Sequence, residues 1–340
     1  MRTARHIRGV PATAMAVGLF LATAFGAAAC GDSGGDSAGG GGGGGDAEFK
    51  RPITLIVPFG PGSGTDQAGR LSSPVLEKGL GVQLPVINVP GATGNTGVTK
   101  LLQSRPSETI AGLPADTIAT VAAGTSTFKL EDLKPICRIS LAPSFIWVNA
   151  KGKYKSWDEL SKAAKDQPGK VTIATVGQGG IDDIMLGALE QKGFKFRLVP
   201  FAENSERKGA LLSNDVDALY EQSGDVKENI DGGQFIPVLI FASEKQKGLE
   251  GDYSLSSDVD VTEVIDQYRG LYANAKMSDT EVDAIAEACA AVKDDPKYTE
   301  FQERTLEQEG GFMPRAEFET YVKESLAKMV KLGKQYGVYK

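Results

Sequence analysis

The sequence predicts an α/β fold arranged in two lobes. Its 340 residues exceed the usual size of one domain, which is about 100–200 residues. Apolar residues make up 41% and charged residues 24% of the chain, a composition that supports buried cores rather than disorder. Short apolar runs alternate with helical patterns across loops rich in glycine and proline. This alternation is typical of a largely parallel sheet covered by helices.

The first cycle of strand, loop and helix opens the folded body. The nearly continuous apolar run at 53–57 is expected of a strand covered on both faces. A loop at 58–65 follows, and then a helix from Asp66, which Pro74 should kink or shorten. Further strands are expected at 85–89, 109–112, 133–141, 171–175, 198–201, 216–220, 236–241 and 268–272. Further helices are expected from Thr96, from Ser156 to about Asp166, from Asp182, from Ser278 and after Pro314.

The N-terminal segment has the composition of an export signal. Arg2, Arg5 and Arg8 form a basic flank without acids, and an apolar run at 10–29 ends in small residues before Cys30. Small residues next to this cysteine resemble a bacterial lipobox, in which Cys30 becomes the lipidated first residue of the mature protein. A permanent membrane-spanning helix is the alternative, because the run is just long enough to cross a bilayer.

A glycine-rich segment follows the predicted signal. It contains an unbroken glycine run at 39–45 among Asp and Ser residues, a composition that cannot bury a core. We expect a flexible tether at 30–49 that holds a soluble body off a membrane surface. No later stretch of the sequence is long and apolar enough to span a bilayer, so the body is not expected to form a channel.

Residue counts exclude several classes of function. The single histidine, His6, lies in the predicted signal, so the mature protein has no Ser–His–Asp or Cys–His pair and no imidazole metal ligand. The formal net charge of −7, without a dense Lys/Arg run, argues against nucleic-acid binding. Cys137 and Cys289 fit buried positions, and a disulfide between them stays open. We expect no catalytic residue, no metal and no cofactor.

Three glycine-containing loops, at 58–66, 90–97 and 176–182, connect the end of a strand to the start of a helix. In open α/β sheets, ligands bind at the carboxyl ends of strands, in such loops. Backbone N–H groups at helix N-termini carry partial positive charge and attract carboxylate or phosphate. Ordinary turns are the alternative explanation for these glycines. None of the loops has the spacing of a nucleotide-binding motif.

Two motifs in the first half of the body are specific. Residues 51–66 read RPITLIVPFGPGSGTD, and residues 89–97 read VPGATGNTG. They resemble the Bug family of extracytoplasmic solute-binding proteins, which serve tripartite tricarboxylate transporters, and the resemblance covers about 51–340. Later segments that match in order and spacing lie at 132–136, 168–171, 175–179, 199–201, 215–217 and 310–318.

This resemblance implies a two-lobed, type II periplasmic-binding-protein-like fold with a ligand cleft between the lobes. Lobe 1 would comprise 50–142 and 242–340, and lobe 2 would comprise 143–241, after a signal at 1–29. One strand–helix loop from each lobe would grip the carboxylate of a small organic acid. The ligand-binding residues that we expect are Phe59, Gly62, Ser63, Gly64, Thr65, Asp66, Gly94, Asn95, Thr175, Gly177, Gln178, Gly179, Gly180, Asp182, Phe201 and Glu221.

The sequence departs from the family pattern at two places that bear on the ligand. Where the family commonly has Ser followed by Pro and His, residues 180–183 of this chain read GIDD. Where the family often has Tyr-Lys-Gly, residues 201–203 read FAE. A lost Lys and added acids disfavour a multiply charged anion such as citrate, since like charges repel strongly in a low-dielectric pocket. A ligand with a cationic or neutral far end suits Asp182, Glu203 or Glu221 better. The alternative is that these three acidic side chains face solvent and do not contact the ligand.

The sequence therefore predicts a monomeric solute-binding lipoprotein on the outer face of the cell membrane, attached through its lipid anchor only. It would deliver a small organic acid, amino acid or amide to an integral-membrane permease, by hinge closure and without catalysis. The alternatives are a ligand sensor that contacts a membrane kinase and an enzyme that uses Asp and Glu alone. For Asp66 and Asn95, helix capping is the alternative role.

Overall fold

Two sheets joined by crossing strands form the part of the chain that the computed structural model describes, residues 49–308 and 310–339. The predicted export signal, Cys30 and the rest of the tether before Phe49 lie outside the described residues. Phe49 itself packs against the core of the first lobe, so the folded body includes one residue that we assigned to the tether. Within the described ranges, no helix has the length and apolar character needed to span a membrane.

The first lobe is built on a sheet whose strands come from distant parts of the chain. They are β1 (Thr54–Val57), β2 (Val86–Asn88), β3 (Thr109–Pro114), β4 (Leu133–Ala142) and β11 (Gln267–Asn274). Their order is β2-β1-β3-β11-β4. The pairings of β1 with β2 and β3 are parallel, whereas β11 runs antiparallel to β3 and β4.

The second lobe contains the other sheet. Its strands are β5 (Ser144–Asn149), β6 (Thr172–Thr175), β7 (Arg197–Pro200), β8 (Ala218–Gln222), β9 (Phe235–Ile240) and β10 (Ser254–Leu255), in the order β10-β9-β5-β8-β6-β7. The strand β5 is antiparallel to β8 and β9, and the other pairings are parallel. Both sheets are therefore mixed rather than largely parallel, because β5 and β11, which follow the crossings between lobes, run against their neighbours.

The chain crosses between the lobes at two places. Pro143 alone separates β4 in the first sheet from β5 in the second. On the return path, β10 extends the second sheet beside β9, and Tyr253 packs on Phe145 with ring centroids 6.0 Å apart. The predicted return to lobe 1 at residue 242 is therefore too early. The chain adds an edge strand to lobe 2 before it crosses back.

Helices cover both sheets. They are α1 (Gly64–Leu80), α2 (Asn95–Gln103), α3 (Ala115–Ala123), α4 (Trp157–Asp166), α5 (Ile181–Gln191), α6 (Asn204–Leu212), α7 (Lys227–Asp231), α8 (Asp279–Ala290), α9 (Pro296–Thr305) and α10 (Arg315–Gln335). The predicted capping box at α8 is confirmed, because Ser278 and Glu281 bond each other's backbone N–H. Of the two effects predicted for Pro74, a kink or a shortening of α1, the shortening is wrong, since this helix continues to Leu80.

The long helix α10 contacts both lobes. Phe318, Val322 and Met329 of its predicted apolar stripe are buried, and Leu326 and Val330 are half-buried. This stripe packs against β4 and α3 of the first lobe, and α10 also meets α5 of the second lobe. The helix therefore supports the end of the molecule where α3 and α5 begin.

Cys137 and Cys289 form a disulfide, the possibility that the sequence left open. Cys137 lies in β4 and Cys289 in α8, and both are buried in the core of the first lobe. The bond links positions 152 residues apart in sequence, which removes many conformations from the unfolded chain.

Reduction of this disulfide should lower the free energy of unfolding by roughly 2–5 kcal/mol, because the unfolded chain regains that conformational freedom. Urea unfolding with and without reductant measures the difference. The double variant Cys137→Ala/Cys289→Ala serves as the control, since reductant should not change its midpoint. Equal midpoints for the oxidised and reduced wild-type protein would contradict this prediction.

Candidate ligand-binding site

A closed cleft lies between the lobes where α1, α3 and α5 begin. The helix α1 follows the loop after β1, α3 follows β3 directly, and α5 follows the loop after β6. The space in the cleft is narrow, with a volume of about 30 Å³. It is lined by Phe59, Ser63, Thr65, Pro114, Asp116, Val176, Asp182, Arg207, Tyr220, Glu221, Gln222, Asp225, Gln267 and Arg269.

Each lobe places a carboxylate on a helix N-terminus of the other lobe. Asp225, in a 3₁₀ turn of the second lobe, accepts a hydrogen bond from the N–H of Gly64 at the start of α1. Asp116, in the first turn of α3, accepts one from the N–H of Ile181 at the start of α5, at 2.9 Å. Backbone N–H groups in the first turn have no partner within their own helix and attract anions. These two contacts join the lobes across the cleft.

The start of α1 is built by Ser63 and Asp66. Ser63 is the N-cap, and its Oγ accepts a hydrogen bond from the N–H of Asp66 at 3.3 Å. The Asp66 carboxylate accepts hydrogen bonds from Gly62 N–H, Asn88 Nδ2 and Arg70 Nε, at 2.9–3.0 Å. Although burial raises its pKa, these bonds leave the pKa of Asp66 below its ordinary value. Asp66 therefore braces the loop, and it is neither a cleft-lining residue nor the N-cap.

The structure brings some of the predicted site residues together. Phe59, Ser63, Thr65, Asp182 and Glu221 line the cleft. The solvent-facing alternative for Asp182 and Glu221 is wrong, since both side chains are buried. Ligand contact by any of these residues stays a prediction. The predicted residues that do not line the cleft are Gly62, Gly64, Asp66, Gly94, Asn95, Thr175, Gly177, Gln178, Gly179, Gly180 and Phe201.

Several of these other residues hold neighbouring loops. Asn95 donates to the carbonyl of Ala92 at 2.8 Å and accepts from the N–H of Thr127 at 2.9 Å, while Gly94 is the N-cap of α2. Asn95 is therefore not the N-cap of α2, but it caps the C-terminal end of the short 3₁₀ turn Ala92–Gly94. A separate cavity of about 530 Å³ beside α5 is lined in part by Thr175, Gly177 and Gln178.

Two buried arginines line the cleft, and we did not predict either of them. Arg207 binds the carboxylate of Glu221 through Nε at 3.0 Å and Nη2 at 2.7 Å. Arg269 binds Asp225 at 2.6 Å and Glu307 at 3.0 Å. Basic side chains therefore lie in this cleft beside the loop amides.

A sequence signal for one arginine was available. Arg269 sits within the predicted strand at 268–272, beside Tyr268 and Leu271, and a charged residue in a buried strand needs a partner. Arg207 has no comparable signal, because it belongs to a helix with several charged neighbours. Its partner Glu221 lies in β8, so only the folded chain shows the pair.

Acidic groups crowd the cleft beside α5. Burial raises the pKa of Asp116. Burial also raises the pKa of Asp182 well above its usual value, and the negative charges of Asp183 and Asp116 raise it further. Burial also raises the pKa of Asp183 to about 6 and that of Glu307 to about 7. Among the described residues, no group of three or more His, Cys, Asp and Glu side chains is arranged to hold a metal ion.

The fold and the cleft together define a two-lobed solute-binding protein, whose lobes close over the helix N-termini that meet between them. Residues 70–338 match the tripartite tricarboxylate transporter family receptor (TctC) family, and the chain belongs to this family. The Bug-family resemblance and the two-lobed α/β fold are thus confirmed.

Proteins similar to this chain include relatives and solved structures. BugT of Bordetella pertussis is 29% identical over 202 residues, which are 57% of this chain and 62% of BugT, so the match spans less than two thirds of that relative. The structure of the periplasmic binding protein BugD has a TM-score of 0.76 at 20% identity and covers 86% of this chain and 99% of BugD. The structure of MatC from Rhodopseudomonas palustris with bound malate has a TM-score of 0.74 at 19% identity. It covers 83% of this chain and 99% of MatC. Both structures are similar in fold.

Stability should increase as the pH falls from 7.5 to 5.5. Asp183 and Glu307 have raised pKa values in the folded protein, so the folded form keeps protons that the unfolded form has already lost in this range. The free energy of unfolding should therefore rise by about 1 kcal/mol or more on acidification, which thermal unfolding measures. Asp183→Asn and Glu307→Gln should each flatten the profile. A melting temperature that falls between pH 7.5 and pH 5.5 would exclude this linkage.

Proposed function

We propose that this protein is the extracytoplasmic receptor of a tripartite tricarboxylate-type transporter. It captures a small carboxylate-bearing metabolite in the cleft and delivers it to the integral-membrane permease. The family to which the chain belongs supports this proposal, as does the malate bound to the similar protein MatC. The receptor acts as a monomer and does no bond chemistry.

The observation that carries the proposal is the pair of carboxylates held by backbone N–H groups across the cleft. Gly64 N–H and Ile181 N–H lie in opposite lobes, and each binds a carboxylate. A ligand carboxylate has the same chemistry as the Asp225 side chain and takes its place at the start of α1. Arg269, already bonded to Asp225, is positioned to pair with that ligand carboxylate.

Ligand entry requires the lobes to separate. A cleft volume of about 30 Å³ does not admit a metabolite of several carbon atoms. The crossing at Pro143, between β4 and β5, offers few residues that must change their backbone angles when the lobes open. A ligand that contacts both lobes favours the closed state by its differential affinity, and the permease then meets a closed, loaded receptor.

Gly64→Ala should weaken carboxylate binding at least tenfold. A β-carbon at this position would lie 2.5 Å from the guanidinium carbon of Arg269 and 2.5 Å from Asp225 Oδ2, so it disturbs the groups that receive the carboxylate. Titration calorimetry with mono-, di- and tricarboxylates and amino acids measures the affinities at pH 7.5.

Gly209→Ala is the matched control for this variant. Gly209 lies in α6, and a β-carbon there would meet no atom within 4 Å among the described residues. Its affinity should equal that of the wild-type protein. If no carboxylate binds to the wild-type receptor, the proposed function is wrong; if citrate binds most tightly, only our exclusion of multiply charged anions fails.

We also propose that a lipid on Cys30 anchors the receptor to the outer face of the cell membrane, after cleavage of the signal at 1–29. The small residues before this cysteine and the glycine-rich tether that follows support the proposal. Cys30→Ser should release the protein into the soluble fraction when cells are fractionated. Retention of Cys30→Ser in the membrane would point to an uncleaved helix instead.

A further inference from the structure

Most donor groups around the cleft are already engaged by the chain itself, although the Tyr220 hydroxyl and Arg269 Nε have no partner among the described residues. The N–H groups of Gly64 and Ile181 bind Asp225 and Asp116. Three N–H groups of Arg207 donate to Glu221 and to a backbone carbonyl. A ligand carboxylate therefore finds most of its positive partners where it displaces one of these carboxylates.

Hydrogen-bond acceptors converge beside the start of α5, and one of them has no partner. Gln267 is 4% exposed, donates through Nε2 to Asp116 and leaves its Oε1 without a partner among the described residues. Asp182 Oδ1 and Asp116 Oδ1 lie 2.5 Å and 3.0 Å from the point where a β-carbon on Gly180 would stand, so the two carboxylates converge there. A buried acceptor without a donor is unfavourable, and a ligand that supplies N–H groups removes that penalty.

The charge balance of the cleft leads to the same requirement. Within the described chain, the lining residues include four carboxylates but only two guanidinium groups. Each guanidinium is paired with a carboxylate, and Asp116 and Asp182 have no basic partner at hydrogen-bond distance among the described residues. Burial without a counter-charge disfavours the charged forms of Asp116 and Asp182 and raises the pKa of both groups. A cation placed beside Asp116 and Asp182 offsets this excess.

Two residues of the strand β11, Gln267 and Arg269, mark the two ends of the cleft. Gln267 and Arg269 are two residues apart on this strand, and both line the cleft. Alternate residues of a strand point to the same face, roughly 6.6 Å apart along it. One end therefore presents a guanidinium, and the other presents an amide oxygen beside two carboxylates.

We propose that the ligand is a zwitterion, with one carboxylate at the Arg269 end and one protonated nitrogen at an acceptor site formed by Gln267, Asp116 and Asp182. This assignment rests on the proposed receptor function and specifies its ligand class. An ammonium group donates three hydrogen bonds, which matches a buried site made of acceptors.

Three probes with four carbon atoms each test the proposal: 4-aminobutanoate, butanoate and butanedioate. Their fourth carbon carries an ammonium group, is a methyl group or is a carboxylate, respectively. The six-carbon series, 6-aminohexanoate, hexanoate and hexanedioate, repeats the comparison, and 1-aminobutane supplies the amine alone. With titration calorimetry at pH 7.5, the amino acid of at least one series should bind at least tenfold tighter than its two partners.

Neighbouring acids on α5 provide matched variants. Asp182→Asn removes a carboxylate that lines the cleft, and Asp183→Asn removes one that does not, although both lie in the first turn of the same helix. The amino-acid preference should shrink at least threefold in Asp182→Asn and persist in Asp183→Asn. Asp116→Asn, which keeps an oxygen for the N–H of Ile181, tests the same site if Asp182→Asn does not fold.

The outcomes separate this inference from the function on which it rests. The acceptor site is overturned if butanedioate or butanoate binds as tightly as 4-aminobutanoate and the six-carbon series gives the same result. The protein would then still be a carboxylate receptor. Binding of 1-aminobutane as tight as that of 4-aminobutanoate would keep the acceptor site and overturn the carboxylate receptor. An equal loss of preference in Asp182→Asn and Asp183→Asn would also overturn the acceptor site, since only one of these side chains lines the cleft.

Discussion

The closed arrangement of the lobes depends on backbone N–H groups that must be satisfied away from water. The first N–H groups of α1 and α5 point into the space between the lobes, where no intrahelical acceptor exists. Asp225 and Asp116 each cross from the opposite lobe to fill this role. The same requirement that makes a helix N-terminus attract an anionic ligand thus holds this receptor closed through its own side chains.

Acids outnumber bases around this contact, and that balance sets what the receptor can hold. Arg207 and Arg269 are each committed to a carboxylate at hydrogen-bond distance. Asp182 remains in a site where burial and the neighbouring carboxylates disfavour its charged form. A second anionic group on the ligand would add to that repulsion, whereas N–H donors would relieve it. In the proposed function, the far end of the cleft sets the selectivity, and the helix N-termini supply carboxylate recognition.

The first lobe is stiffened where the second lobe must move against it. The disulfide between Cys137 and Cys289 ties β4 to α8, so the strand that leads to the crossing at Pro143 is fixed to its own lobe. The helix α10 contacts both lobes and therefore must adjust when they separate. In the proposed function, motion confined to a few crossing residues keeps each half of the site intact in the open and closed states.

Local pattern in the sequence was enough to find many of the strands and the glycine loops that start α1 and α5, because strand and helix periodicity and capping depend on near neighbours. The bounds of the lobes came from the family resemblance. It also led us to count Asp66 and Asn95 as ligand contacts, although both brace loops. Only the tertiary structure decided which carboxylates meet which N–H groups. Gly64 and Asp225 are 161 residues apart, and such a pairing depends on how two lobes close, which no local pattern encodes.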